Sequence, residues 1–305
     1  MLLKNYPLYL IVAFIAFTSI AEVKAQHAKN VLIIGIDGLR GDAFMSAYTP
    51  NIEKFMNMGE YSYDADMGTK NNCVAGWASL ATGVWHKKHG AKDEEFKKTY
   101  FEEYPHFFSL IKDENIRTAS IINYEPITSH IDCCSQIMLT SKNDNAVKEK
   151  AIELIRMDKT DLMILNYHEL DVCGQTEGFG SESPSYVNLI QKADSMFVDV
   201  LTAVQAHAKK RQEEWMIIIT SDHGGEGTAF DGLQKLQQVR YAPQIMAFVD
   251  VNGAIKVEMP DYYLNLNDAS LVNIVPTVLD YLNISKPFYL DGQSNLKSME
   301  FIDAD

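Results

Sequence analysis

Two apolar runs that each stop at an acidic residue constrain the fold most strongly. Residues 31–36 are mostly β-branched and apolar, and Asp37 and Gly38 follow them directly. Residues 215–220 have the same design and lead into Asp222-His223-Gly224-Gly225. Short apolar runs bounded by turn residues are typical of strands buried on both faces of a parallel sheet. Ligands bind at the carboxyl ends of such strands, so the two aspartates are predicted to face a site. A lone aspartate there would more simply cap a turn.

Strand-like and helix-like segments alternate along the rest of the chain. The clearest helix begins at Ser183-Pro184, after which apolar residues recur at three- and four-residue steps. Thr49 is predicted to cap a helix that starts at Pro50, after a loop at residues 39–47. Further buried strands are predicted at residues 118–123, 161–166 and 242–250.

This alternation predicts an α/β fold with a mainly parallel central sheet covered by helices on both faces. No repeat, linker or low-complexity tract divides the sequence. We therefore expect a single domain over residues 26–305. Residues 91–145 follow the pattern less regularly and suggest a cap inserted over the open end of the sheet.

The first 25 residues are predicted to be a signal peptide. Lys4 precedes an apolar stretch at residues 8–20, and Val23-Lys24-Ala25 forms a small-residue cleavage site. The stretch is short for a spanning helix, and no later segment is long and apolar enough to anchor the chain. We therefore expect an exported protein, periplasmic or secreted, with no stable membrane anchor after cleavage. An uncleaved anchor is the alternative.

The net charge limits the classes of molecule that the protein is expected to bind. The formal net charge of −14 argues against a nucleic-acid-binding surface. The negative charge is compatible with a small anionic phosphoester substrate, because a bound metal ion reverses the local charge.

The cysteines are too few for a disulfide scaffold in a chain of 305 residues, although an exported protein could pair some of them. They are Cys73, Cys133, Cys134 and Cys173.

Acidic residues and a histidine follow three of the predicted strands. They are Asp37, Asp171 and the pair Asp222-His223. Taken singly, each of them is as well explained by a helix-capping or surface role as by metal binding. Three strand ends of the same design can instead assemble a divalent-metal site. Aspartate and histidine suit zinc or manganese, so we predict Zn2+, with Mn2+ as the alternative.

Seven short motifs follow the predicted signal peptide: Ile36-Asp37-Gly38-Leu39-Arg40, Thr49-Pro50-Asn51, residues 77–83, His89-Gly90, the glycine-containing turn at Asp171, residues 220–225 and residues 274–279. Together they resemble the alkaline phosphatase superfamily, most closely its nucleotide pyrophosphatase/phosphodiesterase branch (type I phosphodiesterases). The resemblance implies an αβα sandwich and two zinc ions bridged by a phosphate-like group. It also implies a threonine or serine nucleophile that forms a covalent phosphoryl-type intermediate.

The resemblance carries over fully to one metal site. That site would use Asp37, Asp222 and His223, and all three are present. The nucleophile position falls on Cys73, where the family has threonine or serine. As a thiolate, Cys73 could also become a fourth ligand to the same ion and close the site.

The second metal site is degraded. Asp171 matches its aspartate, but the two histidine positions fall on Gln175 and Phe230. A neutral amide is a weak ligand and a phenyl ring is none. Asp231 is one residue away from the required spacing, and His168 is either a replacement ligand or a polar group at a strand end. We therefore expect one firmly held ion and a doubtful second one.

These residues allow three functions. The first is a metal-dependent hydrolase of phosphoesters, either phosphodiester and pyrophosphate bonds or phosphomonoesters, with weak or altered activity. The second is a non-catalytic pseudoenzyme that keeps the fold and acts as a binding protein. The third is a sulfatase-like hydrolase, in which a cysteine becomes formylglycine. Ala75 fits that signal after Cys73, but Trp77 stands where arginine is required.

Overall fold

The structure is a computed structural model that describes residues 28–70, 72–130, 135–233 and 235–299. The predicted signal peptide, Cys133 and Cys134 lie outside the described residues. In the described part of the chain, eight strands form the central sheet. They are β1 (Lys29–Ile36), β2 (Glu60–Asp66), β3 (Thr118–Ile122), β4 (Ile137–Thr140), β5 (Leu162–Tyr167), β6 (Glu214–Thr220), β7 (Tyr241–Val249) and β8 (Ile255–Lys256).

The strand order is β2-β7-β6-β1-β5-β3-β4, with β8 beside β7. The neighbours from β6 to β4 pair in parallel, whereas β2, β7 and β8 pair antiparallel. The predicted α/β fold with a mainly parallel sheet is confirmed. A second, antiparallel sheet contains β9 (Glu258–Met259), β10 (Tyr262–Leu264) and β11 (Leu296–Ser298).

Helices cover both faces of the central sheet. They are α1 (Gly41–Ser46), α2 (Pro50–Met56), α3 (Cys73–Thr82), α4 (His86–His89), α5 (Phe107–Leu110), α6 (Glu125–His130), α7 (Asp144–Arg156), α8 (Glu169–Glu177), α9 (Pro184–Arg211), α10 (Gln237–Arg240) and α11 (Ile274–Tyr281), with a 3-10 turn at Leu271–Asn273 before the last. Across the described residues, none of these helices combines the length and apolarity that crossing a bilayer requires.

The side chains of β1 alternate between two hydrophobic cores. Leu32, Ile34 and Ile36 join a core that includes residues of α2, α7 and α9. Val31 and Ile33 join a second core that includes residues of α3 and α11. Successive side chains of a strand point to opposite faces, so the apolar run of β1 is buried from both sides, as its sequence predicts.

The start of α2 is fixed by a residue distant in sequence. Thr49 is the N-cap residue, but its side chain makes no capping hydrogen bond. Asp194, buried on α9, instead accepts hydrogen bonds from the backbone N–H groups of Asn51 and Ile52. The predicted capping role of Thr49 is therefore taken by a carboxylate that also complements the positive end of the helix dipole.

Two predicted irregular segments contain regular structure. The predicted loop at residues 39–47 includes α1. The predicted cap at residues 91–145 includes β3, which pairs with β5, and β4, which pairs with β3. All five side chains of β3 are buried. These strands therefore widen the sheet and do not cover it.

His106 is a buried, neutral histidine that caps the start of α5. Its Nδ1 accepts a hydrogen bond of 3.1 Å from the backbone N–H of Phe108. Its ring stacks on Phe107 and Phe108, with centroids 5.0 and 4.7 Å away. Burial lowers the pKa of His106 to about 3, so the folded protein takes up this proton only at strongly acidic pH.

Replacing His106 by asparagine is expected to flatten the pH dependence of stability. In the unfolded chain this histidine titrates near pH 6.5, so the wild type loses stability as the pH falls from about 6.5 toward 3, by up to about 1.4 kcal/mol per pH unit. Asparagine keeps an acceptor for the cap but has no charge to gain. Urea unfolding of both proteins at several pH values in this window measures the two slopes. Equal slopes would contradict the conclusion that His106 is buried in its neutral form.

Candidate metal centre

Three neighbouring strands bring the predicted ligands to one edge of the sheet. β1 lies between β5 and β6 and runs parallel to both. Asp37 directly follows β1, and Asp222 comes two residues after β6. His168 directly follows β5, and Asp171 lies in the first turn of α8, since the chain enters that helix almost at once. The strand ends therefore converge as the sequence predicts.

Helix α3 brings Cys73 to these strand ends. Two glycines allow its close approach. A Cβ on Gly35 would lie 2.5 Å from the ring of Trp77, and a Cβ on Gly76 would lie 2.7 Å from the Cβ of Asp222. Since real side chains do not approach so closely, glycine at both positions lets α3 pack directly on β1 and on the segment after β6. Cys73, its first residue, then points into the site.

Cys73, Asp171 and Asp222 surround one imidazole nitrogen. His223 Nε2 lies 3.3 Å from Cys73 Sγ, 3.5 Å from Asp222 Oδ2 and 3.7 Å from Asp171 Oδ1. Cys73 Sγ also lies 3.6 Å from Asp171 Oδ2. His223 Nδ1 is 2.7 Å from the backbone oxygen of Gly224. A carbonyl oxygen only accepts, so Nδ1 donates there, and in the neutral ring the lone pair of Nε2 faces the site.

Asp37 is held by three hydrogen-bond donors. Its Oδ1 accepts from Trp77 Nε1 at 2.8 Å. Its Oδ2 accepts from Asn166 Nδ2 at 2.7 Å and contacts His168 Nδ1 at 2.8 Å. The ring of Tyr124 stacks on His168, with centroids 4.4 Å apart. This network fixes the position of Asp37 beside the other carboxylates.

The site contains an excess of buried negative charge. Burial and the charge of Asp222 raise the pKa of Asp37 to about 7, and burial raises the pKa of Asp171. Burial and the three carboxylates raise the pKa of the Cys73 thiol well above its usual value. Burial opposes charge on His223, but Asp222 and Asp171 outweigh it and raise its pKa. The contributions of the neighbouring carboxylates to these shifts mean that added positive charge would be stabilised here.

Two carboxylate oxygens of the site have no hydrogen-bond partner among the described residues. They are Asp171 Oδ1 and Asp222 Oδ2, and both are buried. Buried polar atoms are nearly always paired, and an unpaired one calls for a missing partner such as an ion. Both oxygens lie within 4 Å of His223 Nε2.

A family profile described as the metalloenzyme superfamily matches residues 40–286. The chain belongs to the metalloenzyme superfamily. Sequence relatives include 2,3-bisphosphoglycerate-independent phosphoglycerate mutases. Those of Ehrlichia canis, Metamycoplasma hominis and Nitrosococcus oceani are 24%, 30% and 23% identical over 153, 145 and 250 residues. The matches cover 50%, 47% and 80% of this chain but 27%, 25% and 43% of those mutases, so the chain spans less than half of their length.

Solved structures share the fold of this superfamily member. A putative sulfatase from Bacteroides thetaiotaomicron has a TM-score of 0.67 at 13% identity, with 88% of this chain and 73% of that chain covered. Murine ectonucleotide pyrophosphatase/phosphodiesterase 5, as an inactive form in complex with AMP, has a TM-score of 0.62 at 12% identity, with 85% and 96% covered. The predicted superfamily, with its alkaline-phosphatase-like fold, is confirmed.

Membership in the metalloenzyme superfamily implies a divalent metal ion, and the residues of this site fit one. One atom each of Cys73, Asp222 and His223 lies within 4.8 Å of the other two. Thiolate, carboxylate and imidazole are all established ligands of such ions. The two unpaired carboxylate oxygens supply a further reason for a cation at this position.

The residues at the degraded second metal site make other contacts. Gln175 Nε2 donates a 2.5 Å hydrogen bond to Asp171 Oδ2. The ring of Phe230 stacks on His223, with centroids 4.5 Å apart and planes at 22°. Asp231, the alternative ligand, is half-exposed and pairs with Lys70. Gln175 therefore contacts Asp171, and Phe230 contacts His223. Neither residue has the imidazole nitrogen that the resemblance requires at its position.

The sequence pattern does not predict the hydrogen bonds that support Asp37. Trp77 is noted from the sequence only at the position of the sulfatase arginine, yet its indole donates to Asp37. Asn166 lies in β5 and His168 directly follows it. Because β5 pairs in parallel with β1, its end lies beside Asp37, and polar residues at that end are a sequence signal for contact with Asp37. The sequence pattern does not predict side-chain rotamers, and these determine which side chain contacts which carboxylate.

Trp77→Phe is expected to cost more stability than Trp215→Phe. Both indoles are buried, but Trp77 Nε1 donates to a carboxylate, whereas Trp215 Nε1 has no hydrogen-bond partner among the described residues. Loss of a hydrogen bond to a charged group should add about 1.5–3 kcal/mol to the cost of the lost volume. Urea unfolding of both variants, prepared without metal, gives the difference. Equal losses would show that the Asp37 contact contributes nothing.

Proposed function

We propose that this protein acts on phosphoesters at a centre that holds one divalent metal ion, and that it does so slowly. The observation that carries the proposal is the pair of unpaired, buried carboxylate oxygens on Asp171 and Asp222, which lie next to a thiol and an imidazole. This arrangement favours a cation. Membership in the metalloenzyme superfamily and the sequence likeness to phosphoglycerate mutases support phosphoester chemistry.

Asp222, His223 and Cys73 would hold the ion, and the soft thiolate favours Zn2+ over Mn2+. When bound, a divalent ion supplies Lewis-acid polarisation of a phosphoryl oxygen. The chain itself contributes orientation. His223 is fixed in one tautomer by a backbone carbonyl, and Cys73 stands at the start of α3, the nucleophile position of the predicted family. Phosphodiester, pyrophosphate and phosphomonoester bonds are all candidate targets.

An open cavity of about 820 Å³ borders the site and is the candidate entrance for a small substrate; Glu169 and Glu177 line it together with lysines. Its wall includes His168, which contacts Asp37, and two lysines, Lys142 and Lys192. Lys192 pairs with Glu169 at 2.7 Å. We propose that a small phosphoester enters from this side, and that the net acidity of the chain excludes nucleic acid as the partner. The signal-like residues 1–25 support export to the periplasm or beyond.

A second candidate is a non-catalytic binding protein of the same fold. The contact of Phe230 with His223 favours it, because a phenyl ring lies where the resemblance calls for a histidine of the second metal site. Cys73 is also only 4% exposed. A sulfatase-like function has less support, because Trp77, at the position of the required arginine, is buried and committed to Asp37.

Turnover and metal content of the purified chain separate these functions. We expect one ion per chain and slow hydrolysis of chromogenic phosphate monoesters or diesters. Cys73→Ala should lower the rate at least about tenfold, because a residue at the nucleophile position acts in the transition state. Cys173→Ala controls for the loss of a buried, free thiol. Because Cys173 lines the cavity, this change is expected to alter KM more than kcat.

The triple variant Cys73→Thr, Gln175→His, Phe230→His tests the second candidate. If the native chain is inert and only this variant turns over substrate, the native protein is a binding protein. Two ions per native chain would contradict the single-ion centre.

A further inference from the structure

The reactive groups of the centre are shielded from solvent in this structure. Four of its residues are buried, and none is more than 4% exposed: Cys73, Asp171, Asp222 and His223. The wall of the open cavity beside the site includes His168 but none of these four residues. A phosphoester in the cavity therefore does not reach the thiol, and a segment of the chain has to move before it can.

We infer that residues 226–232 form a lid, which is closed over the centre in this structure and opens to admit substrate. Three observations support the lid. A ring of the segment stacks on a residue of the centre, an exposed ion pair holds the segment in place, and its outer half lies at the surface. The inference deepens the proposed function and rests on it for the identity of the molecule that enters.

Phe230 is the residue of the lid that reaches the centre. Its ring stacks on His223 with centroids 4.5 Å apart, and it contacts the edge of Phe179 at 6.3 Å. Phe230 is only partly buried, whereas His223 beneath it is fully buried. A ring stacked at this distance leaves no space for water or substrate on that face of the imidazole. A metal-binding histidine at residue 230 would tie this segment to an ion, but the phenyl ring makes only a reversible contact.

The first half of the lid is anchored to the fold. The backbone N–H of Phe179 donates to the carbonyl oxygen of Gly227 at 2.6 Å. Arg40 pairs with Glu226 at 3.0 Å. Glu226 and Ala229 exchange two backbone hydrogen bonds, of 2.7 and 3.0 Å, and so close a turn. Opening of the lid is therefore confined to the residues after Ala229.

The second half of the lid lies at the surface. Asp231 and Gly232 are both exposed. Gly232 has a φ of +82°, and a Cβ built there would meet no atom within 4 Å. Glycine in open space can absorb the backbone rotation that a hinge requires. Phe230 and Asp231 can therefore swing away from the centre about Gly232 while the anchored turn stays in place.

An ion pair holds this second half closed. Lys70 Nζ lies 2.6 and 2.8 Å from the two carboxylate oxygens of Asp231. Lys70 precedes Cys73 by three residues, so the pair joins the lid to the segment that leads into α3. Both side chains are partly exposed. Exposed pairs shift an equilibrium by roughly fivefold at most and weaken in salt. The pair therefore favours the closed lid without locking it.

Labelling of the Cys73 thiol tests the lid without relying on activity. The full chain, prepared without metal, is treated with iodoacetamide at constant pH, and peptide mapping follows the label on each cysteine. Cys173 is the internal reference, because it is also buried and free but lines the open cavity. The measured quantity is the ratio of the Cys73 rate to the Cys173 rate, since general loosening of the fold raises both.

Two variants and salt should raise this ratio. We expect an increase of at least about tenfold in Phe230→Ala, which removes the cover, and of about threefold in Asp231→Asn, which removes only the ion pair. Raising the salt concentration should increase the ratio in the wild type but not in Asp231→Asn. Asp280→Asn is the matched control, because it breaks a comparable lysine–aspartate pair of 2.6 Å outside the lid, and it should change nothing.

The outcomes separate a lid from a fixed cover. If Phe230→Ala leaves the ratio unchanged, Phe230 is not the barrier and the inference fails. If Phe230→Ala raises the ratio but neither Asp231→Asn nor salt does, the ring is a fixed part of the core and the lid is rejected. The salt dependence of the wild type decides the matter if a variant does not fold. A chain that opens as described but hydrolyses no phosphoester contradicts the proposed function and leaves the lid intact.

Discussion

Buried negative charge is the constraint on which the rest of this structure depends. Asp37, Asp171 and Asp222 are all nearly inaccessible to solvent and lie together at the ends of adjacent strands. Burying unpaired carboxylates costs far more than single side-chain contacts return. The molecule meets this cost in two ways. Asp37 receives three hydrogen bonds, whereas Asp171 and Asp222 each keep an oxygen without a hydrogen-bond partner among the described residues. The stability of the fold therefore depends on how the charges of the metal centre are compensated.

The same helix serves the core and the centre. Trp77 packs against Gly35 of β1 and donates to Asp37, and Cys73 lies one turn earlier on α3. A shift of the helix that disturbed the core contact would therefore also move the thiol relative to His223. Close packing transmits such shifts, because interiors contain few voids that absorb them. The precision of the centre comes from a helix–strand contact that only glycine at residue 35 permits.

The sequence contained most of the fold but only part of the site. Apolar runs at β1, β5 and β6 and the long periodic helix α9 predicted the sheet and its coverage, because these signals are local and repeat along the chain. The convergence of Asp37, Asp222 and His223 followed from the rule that parallel strand ends share an edge. The support of Asp37 by Asn166 and His168, and of α2 by Asp194, did not follow. Those contacts join residues more than a hundred positions apart and depend on side-chain rotamers.

Under the proposed function, the exchange of ligands would alter the family chemistry without abolishing it. Histidine is a neutral ligand, so a centre that uses imidazoles leaves its ions with much of their positive charge. This chain places glutamine and phenylalanine at two imidazole positions and a thiol at the nucleophile position. One divalent ion carries two positive charges, which Asp222 and a Cys73 thiolate would balance, and the buried Asp171 lies beside them. The ion would then keep little net positive charge to attract a phosphoester anion. A thiolate that strengthens metal binding therefore weakens the electrophile that phosphoryl transfer needs.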